Sequence, residues 1–328
     1  MLGRGRNLST ERSVVRLEVQ RTDGLRLDHF ILQSLAWRSR SRIQRLIREG
    51  VVTVNGEASK PSRRVHPGDV VILALSPGTG VPADYEDREI EVIYEDPWLL
   101  AVNKPPDMLV HPVGRHVYDT LINYLHYRYD VPGRDGGEVL PRLCHRIDRD
   151  TTGLVVIAKD AWVHREVSYQ FEHRLVSKEY LTLVAGAYPD ERERIDIPIG
   201  GGRCLESSLR HAVLKRSSTE AMVEARFRDH TLLRCVPHTG RQNQIRIHLA
   251  AVGHPVAGDR RFGDCPPREG HPQRHLLHAA GLVLHHPRLK TRMELRAPLP
   301  EDFRQVIERL AAAPSASPQD SGTRTSAR

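Results

Sequence analysis

The 328-residue sequence has few cysteines and no long apolar run, and each absence excludes a class of protein. Its four cysteines are Cys144, Cys204, Cys235 and Cys265. They form no Cys-x-x-Cys pair, which argues against a structural zinc site and a disulfide framework. No stretch approaches the roughly 18 apolar residues of a membrane span, and the Arg-rich start lacks the apolar core of a signal peptide. We therefore expect a cytoplasmic protein without a membrane partner.

Positive charge is concentrated in the first quarter of the chain. The formal net charge is +8, and residues 1–80 hold 14 Lys and Arg against 7 Asp and Glu. Such concentrated charge favours a polyanionic partner, and nucleic acid is the most plausible one.

Eighteen histidines invite a metal-centre interpretation. However, no helical His-x-x-x-His pair and no Cys/His knuckle occurs with flanking carboxylate ligands. We therefore predict no metal and no other cofactor.

A charged cluster runs directly into an apolar strand between Leu143 and Lys159. Leu154–Ala158 is apolar and mostly β-branched, which predicts a buried strand, and Gly153 allows the backbone to turn into it. Asp148 precedes this strand on a loop between Arg146 and Arg149. A carboxylate beside cations is expected to stay ionised and could act as a nucleophile or a base. The alternative is a structural loop of salt bridges.

The residues His-Arg-Ile-Asp-Arg-Asp-Thr-Thr-Gly from His145 to Gly153 resemble the signature of the RluA-type RNA pseudouridine synthases. The resemblance implies that Asp148 is catalytic and that Arg146 fills the gap left by a flipped uridine. Lys-x-Tyr at 178–180 resembles a second block, which places Tyr180 beside the target nucleotide. Without the resemblance, Tyr180 could be a half-buried aromatic of a strand.

A third block, Thr239 to Leu249, resembles the family's Thr-Gly-Arg-x-His-Gln-Ile-Arg-x-His-Leu motif and implies that Arg246 pairs with Asp148. Two positions depart from the family pattern. Asp107 replaces a Gly, so the local turn is expected to differ. Asn243 replaces a His, and because an amide cannot take up a proton, only a hydrogen-bonding role is expected there. The resemblance also implies substrate contacts from His145, Arg149, Arg241, Ile245 and Lys104.

Near the N-terminus, helical spacing predicts one helix from Leu27 and a second with Ile43, Leu46 and Ile47 on one face. Gly50 ends the second helix, and Asn-Gly at 55–56 predicts a hairpin. The order of these elements over residues 25–75 resembles the RNA-binding fold of ribosomal protein S-four. That resemblance implies RNA contacts from Arg40, Arg42 and Arg45, although the face with Arg42, Arg45 and Arg48 could simply be solvated.

The predicted organisation is an α+β protein with a small α/β N-terminal domain and a catalytic domain of mixed, mainly antiparallel sheet. The predicted limits are a flexible arm at 1–13, the RNA-binding domain at 14–75, a linker at 76–88, the catalytic domain at 89–311 and a disordered tail at 312–328. We expect a monomer.

The resemblance implies an enzyme that isomerises uridine to pseudouridine in RNA, most plausibly in large-subunit ribosomal RNA. Two other functions are weighed against it. One is a catalytically silent RNA-binding or ribosome-assembly factor. The other is a metal-dependent nuclease using Asp148 and Asp150, which lacks further carboxylates at suitable spacing.

Overall fold

The computed structural model describes residues 14–20, 24–34, 40–74, 89–113, 119–129, 141–200, 214–263 and 274–312. The chain divides into two compact units, which are taken one at a time below. The first unit comprises Met1–Glu89 and Leu109–Arg142, and the second comprises Ile90–Met108 and Leu143–Arg328. The predicted arm and linker and residues 313–328 of the predicted tail lie outside the described residues, and the predicted domain limits stay predictions.

The first unit holds an antiparallel sheet of order β1-β4-β2-β3 and three described helices. Their bounds are β1 Val14–Glu18, α1 Leu27–Ser34, α2 Arg40–Arg48, β2 Val52–Val54, β3 Glu57–Ala58, β4 Val70–Ala74 and α3 Leu121–Tyr129. Leu27, Ile31, Ile43 and Ile47 from the two predicted helices pack with Val52 in one buried core. The helical spacing therefore identified the core faces correctly.

The predicted hairpin is confirmed at Asn55 and Gly56, which have φ angles of 54° and 87°. Two consecutive left-handed residues form the turn type that matches the twist of paired strands, and Asn and Gly adopt it most readily. Strand β1 was not predicted, although its five residues pair with all of β4.

The second unit is built on one large sheet that runs β10-β11-β12-β9-β13-β8-β6-β5, with β14 beside β13. Its elements are β5 Glu91–Glu95, β6 Leu99–Lys104, β7 Arg142–Leu143 at the unit boundary, β8 Thr152–Ala158, α4 Ala161–Glu172, β9 Ser177–Ala185, β10 Arg192–Ile195, β11 Thr219–Arg226, β12 His230–Pro237, α5 Gln244–Ala251, β13 Leu277–His285, β14 Arg292–Arg296 and α6 Glu301–Ala312. Apart from the short parallel contact of β8 with β13, the pairings along this order are antiparallel. The predicted α+β class is confirmed.

Strand β8 lies inside the sheet and is buried along its whole length, as predicted. Its first residues run parallel to β13, with Gly153 opposite Ala279. Gly153 has a φ of 108°, and a Cβ at this position would lie 2.7 Å from the backbone nitrogen of Ala279. Only glycine allows this backbone approach. The contact fixes where the loop carrying Asp148 enters the sheet.

Helices cover the sheet at three places. Helix α4 is capped by Asp160, which accepts a hydrogen bond from the Val163 amide at 2.8 Å, and it packs Val163 and Val167 against β8 and β6. Helix α5 buries Ile245 and Leu249 and is followed by Gly253 at a φ of 85°. Helix α6 buries Phe303 and Val306 and was not predicted.

Candidate active site

The loop that carries Asp148 is anchored at its start by His145. The Val156 amide on β8 donates a hydrogen bond to His145 Nε2 at 2.9 Å, and the imidazole stacks on Phe171 with the ring centroids 4.3 Å apart. Burial, and secondarily the charge of Lys178, lowers the pKa of His145 to about 3. The ring is therefore neutral near pH 7, which suits Nε2 as an acceptor.

Asp148 faces Arg246, a residue in the first turn of α5. Arg246 Nη1 lies 3.5 Å from Asp148 Oδ2, and the Asp148 side chain is 26% exposed whereas that of Arg246 is 9% exposed. The two residues are 98 positions apart in sequence, so the fold brings them together. The carboxylate remains accessible while its cation partner is buried.

Asp259 holds Arg246 more tightly than Asp148 does. Arg246 Nε and Nη2 donate to the two Asp259 oxygens at 2.7 and 2.8 Å, and the Asp259 side chain is fully buried. Burial opposes both charges, but their mutual hydrogen bonds lower the pKa of Asp259 and raise that of Arg246. Sequence reasoning had assigned no role to Asp259, although an Asp in the Gly-rich segment after α5 was a usable signal.

Asn243, the residue that departs from the family pattern, also contacts Arg246. Its Oδ1 accepts a hydrogen bond from Arg246 Nη1 at 3.0 Å, so the expected hydrogen-bonding role is confirmed. The residue adopts a left-handed φ of 57°, a conformation that Asn tolerates better than most side chains. Three side chains therefore fix one guanidinium group.

Tyr180 projects from β9 into the same cleft. Burial, and secondarily the charge of Asp148, raises the pKa of the Tyr180 hydroxyl above its usual range. The hydroxyl therefore keeps its proton near neutral pH. Its ring also packs against the core under α5.

These side chains line a cleft of 580 Å³. It brings together seven of the predicted site residues: His145, Arg146, Asp148, Tyr180, Arg241, Ile245 and Arg246. Arg146 is exposed at the cleft wall, and the guanidinium of Arg241 donates two long hydrogen bonds, of 3.4 Å, to the carbonyl of Arg216. A carboxylate, a phenol and several cations thus surround a space of the size that small-molecule pockets have.

Comparison with known proteins decides the family. The sequence profile of the RNA pseudouridylate synthase family matches residues 98–251, and that of the S4 domain matches residues 25–71. An uncharacterized RNA pseudouridine synthase of Bacillus subtilis is 35% identical over 87% of this chain and 94% of its own length. The chain belongs to the RNA pseudouridine synthase family. It is an isomerase that acts on uridine in RNA and carries an S4 domain.

Other relatives agree with this family. Ribosomal large subunit pseudouridine synthase D of Pseudomonas aeruginosa is 35% identical over 88% of this chain and 92% of its own length. The structure of human RNA pseudouridylate synthase domain containing 4 aligns with a TM-score of 0.56 at 25% identity, over 67% of this chain and 93% of that one. Human RNA pseudouridylate synthase domain containing 1 aligns with a TM-score of 0.55 at 26% identity, over 73% and 100%.

Two predicted substrate-binding residues of this pseudouridine synthase do not line the cleft. Lys104 is fully buried, and its ammonium donates to the carbonyls of Pro105, Met108 and Arg149 at 2.7–2.9 Å. The prediction that Lys104 contacts substrate is wrong, because its three N–H groups are occupied and no surface is exposed. Burial lowers its pKa to about 7. Its contacts instead tie the loop that carries Asp148, at Arg149, to the segment after β6.

Arg149 is bound by Asp107, the residue that stands in place of a family Gly. Arg149 Nε donates to Asp107 Oδ1 at 2.8 Å, and Asp107 has a left-handed φ of 54°. The turn adopts a conformation that Gly also adopts easily, and the Asp107 side chain forms an ion pair with Arg149. Arg149 is therefore directed at Asp107, away from the residues that line the cleft.

In the S4 domain, a buried carboxylate organises the predicted RNA-binding face. Asp28 is fully buried and accepts hydrogen bonds from Arg26, Arg40 and Gln44 at 3.0, 3.2 and 2.7 Å. Despite burial, these bonds lower the pKa of Asp28 well below its usual range. Arg40 remains 50% exposed. Sequence reasoning had noted Asp28 only as part of the pattern.

Arg45 forms an i,i+4 ion pair with Glu49 at 2.7 Å and is 67% exposed, so its charge is partly compensated but accessible. The side chain of Arg42 lies outside the described residues. Both predicted positions, like Arg40, belong to α2.

Buried histidines bind protein groups in the described part of the chain. His278 contacts Thr152 Oγ1 at 2.9 Å, and burial lowers its pKa to about 4, while His286 Nε2 lies 2.7 Å from Asp96. Within the described ranges no group of three or more His, Cys, Asp or Glu side chains could hold a metal ion. No helix within those ranges is long and apolar enough to cross a membrane.

Proposed function

We propose that this enzyme modifies uridine in large-subunit ribosomal RNA and that Asp148 carries the chemistry. The observation that supports the second part is the position of the Asp148 carboxylate, held 3.5 Å from a buried guanidinium in a cleft that Tyr180 also lines. The first part is supported by relatives that are named ribosomal large subunit pseudouridine synthase D and are 32–35% identical to this chain.

The target base must leave the RNA stack before Asp148 can reach it. Flipping a nucleotide out of a structured RNA costs a few kcal/mol, roughly, which binding contacts must offset. Arg146 is exposed at the cleft wall, where it can occupy the space that the base vacates. The flipped uracil then enters the cleft beside Tyr180.

The reaction exchanges one bond between base and sugar for another. The bond from C1′ to N1 breaks with its electron pair staying on the uracil, the uracil rotates, and C5 forms a bond to C1′ before losing its proton. Asp148 either attacks C1′ or removes a proton from the sugar, and both routes need an ionised carboxylate. Arg246 orients that carboxylate, and Tyr180 packs on the uracil and supports proton transfer.

The S4 domain supplies affinity for the RNA in this proposal. Arg40 and Arg45 are exposed cations on one short helix, and RNA phosphates attract such charges regardless of sequence. Recognition and chemistry thus lie on different parts of the chain.

Mapping pseudouridine in total RNA from cells with and without this protein tests both parts. Loss of one or more pseudouridines from large-subunit ribosomal RNA, restored by the wild-type chain and not by Asp148→Asn, is the expected result. Restoration by Asp148→Asn would point instead to an RNA-binding or assembly factor whose carboxylate is dispensable. A lost pseudouridine in transfer RNA alone would overturn the proposed substrate.

A further inference from the structure

A second residue of β9, Lys178, faces the cleft together with Tyr180. The two residues are separated by one position, so their side chains leave the same face of the strand. Both line the 580 Å³ cleft. The structure therefore puts an ammonium group and a phenol on one face of β9, in the same cleft.

Lys178 has no anionic partner among the described residues. Its ammonium makes one long hydrogen bond, to the Thr239 carbonyl at 3.4 Å, and no described carboxylate lies within the 4.0 Å of an ion pair. Burial lowers its pKa, and the nearby charge of Arg174 lowers it further. A partly buried cation without an anionic partner is costly to the folded protein, and a perturbed titratable group in a cleft is a candidate functional residue.

Lys104 provides an internal comparison. Both lysines are desolvated, but all three N–H groups of Lys104 bind backbone carbonyls at 2.7–2.9 Å. Lys178 has two N–H groups without an acceptor in the described protein. Because an ammonium carries three donors, Lys178 can still bind two acceptors from a ligand.

The position of Lys178 favours the base of the target nucleotide over its phosphates. His145, which is half-buried in the cleft wall and stacked on Phe171, lies close enough for the Lys178 charge to lower its pKa. Phosphates link the flipped nucleotide to the rest of the RNA and stay hydrated at the rim, whereas the base enters the pocket. A desolvated ammonium therefore meets the acceptors of the base, which in uracil are two carbonyl oxygens.

We propose that Lys178 donates a hydrogen bond to a carbonyl oxygen of the target uracil and stabilises the negative charge that the uracil takes up when its bond to C1′ breaks. This inference rests on the proposed reaction. The electron pair of the broken bond spreads from N1 onto the carbonyl oxygens, and Lys178 keeps its proton while that charge grows. The hydrogen bond strengthens as charge develops, so it contributes to rate more than to binding.

The same contact would bear on base choice. Uracil has carbonyl oxygens at C2 and C4, whereas cytosine has an amino group at C4. If Lys178 binds the C4 oxygen of uracil, the C4 amino group of cytosine would face the ammonium of Lys178. Both groups are hydrogen-bond donors, so cytosine would bind less well.

The test pairs Lys178→Met with altered substrates. Single-turnover rates are measured on synthetic RNA carrying the mapped uridine, or 2-thiouridine or 4-thiouridine at that position, because sulfur accepts hydrogen bonds weakly. Lys178→Met is expected to lower the rate by roughly 10²-fold with RNA affinity nearly unchanged. For the wild type, one of the two thiouridine substrates should react about tenfold or more slowly than the uridine substrate. For Lys178→Met, the same thiouridine substrate should react as fast as the uridine substrate.

Controls separate this contact from a structural role. Lys178→Met removes an uncompensated charge, so its thermal midpoint should equal or exceed that of the wild type, and Lys178→Gln provides a second variant if the first does not fold. Lys215→Met changes an exposed lysine outside the cleft and should leave the rate unchanged. A lower midpoint with rate and affinity falling together would make Lys178 structural and overturn the proposal.

The remaining outcomes are also decisive. An unchanged rate for Lys178→Met, or equal thio effects in both proteins, would exclude the base contact. If an uncharged methylphosphonate in place of the phosphate at the target nucleotide slows the wild type but not Lys178→Met, Lys178 binds that phosphate and not the base. If wild-type protein forms no pseudouridine on any ribosomal RNA tested, the proposed function fails, which is a separate result from the failure of the Lys178 proposal.

Discussion

The two units each contain a cluster of Arg and Asp, and the clusters are built in opposite ways. In the S4 domain one buried carboxylate, Asp28, is shared by Arg26 and Arg40, which remain 41% and 50% exposed. In the catalytic unit one buried guanidinium, Arg246, is shared by Asp259 and Asp148, and Asp148 remains 26% exposed. The surplus charge that reaches the surface is positive in the first cluster and negative in the second.

This difference shows that Arg–Asp ion pairs of one type can present either a cation or a carboxylate at the surface. A buried ion pair contributes little net stability, because desolvation offsets the attraction, but it fixes the geometry of its members. The Asp28 cluster fixes cations where phosphates can approach them. The Arg246 cluster fixes a carboxylate in the wall of the cleft. The following changes break each cluster in turn, beginning with the largest expected effect.

Removing the negative charge of Asp148 should abolish catalysis. Asp148→Asn is nearly isosteric but cannot act as nucleophile or base, so we expect a loss of at least about 10³-fold in pseudouridine formation with RNA binding retained. A tritium-release or mass-spectrometric assay on ribosomal RNA would measure it. Asp150→Asn, two residues away, is the matched control and should change turnover far less. Substantial turnover by Asp148→Asn would remove this residue from the chemistry.

Removing the buried carboxylate of the same cluster should impair both rate and stability. Asp259→Asn leaves Arg246 without its bidentate partner, and breaking a buried pair costs about 3–5 kcal/mol. We expect turnover to fall roughly tenfold to 100-fold as Arg246 loses its orientation. Asp302→Asn is the control, since Asp302 binds Arg274 with similar geometry, at 2.7 and 2.9 Å, outside the cleft. Asp302→Asn should lower the thermal midpoint and leave turnover intact. If Asp259→Asn and Asp302→Asn lose the same amount of turnover, the effect of Asp259→Asn is general destabilisation.

Tyr180→Phe keeps the ring and removes the hydroxyl. We expect single-turnover chemistry to slow by roughly tenfold while the dissociation constant for RNA stays close to that of the wild type. A rate equal to that of the wild type would limit Tyr180 to stacking.

Breaking the cluster in the S4 domain should affect stability in a pH-dependent way. The pKa of Asp28 is lower in the folded protein, so its ionised form stabilises the fold above the ordinary Asp pKa of about 4 and loses that contribution as pH falls toward the folded value. Asp28→Asn should therefore unfold at a lower temperature than the wild type near pH 7, and the gap should narrow below about pH 4. Differential scanning calorimetry would measure both. A gap that stays constant with pH would mean that the charge of Asp28 is not what stabilises the domain.

The smallest effect is expected from two arginines of α2. Replacing Arg42 and Arg45 by Gln should make the slope of log affinity against log salt less steep by the contribution of two phosphate contacts, each of about 0.7–0.9. Turnover at saturating RNA should stay nearly unchanged. Arg192→Gln with Arg304→Gln, both exposed on the second unit, is the control. Equal slopes for the wild type and the Arg42 and Arg45 variant would identify this face as merely solvated.

Local signals in the sequence predicted much of the fold. The Asn55-Gly56 turn, the Asp160 cap and the buried run of β8 depend on neighbouring residues, so composition and spacing reveal them. The resemblance placed Asp148, Tyr180 and Arg246 on the walls of one cleft, where the structure has them. Helix α6 was missed although Phe303 and Val306 carry a helical pattern, so here the signal was present and unused.

The errors and omissions concern partners that are distant in sequence. Lys104 was assigned to substrate by the family resemblance, but its acceptors include the carbonyl of Arg149, 45 positions away. The roles of Asp28 and Asp259 were missed because a charged residue in sequence does not show whether it is buried or paired. Strand β1 was missed because five residues carry little pattern and its partner β4 lies more than 50 positions further along the chain.

The contact between Gly153 and Ala279 limits how this enzyme can evolve. Backbone meets backbone there, so no exchange of side chains can shift the entry point of the catalytic loop without separating two central strands. The side chains that line the cleft, such as those of Arg241 and Gln242, can change without moving this contact. The backbone therefore sets where the loop with Asp148 enters the sheet, whereas side chains set the surroundings of its carboxylate.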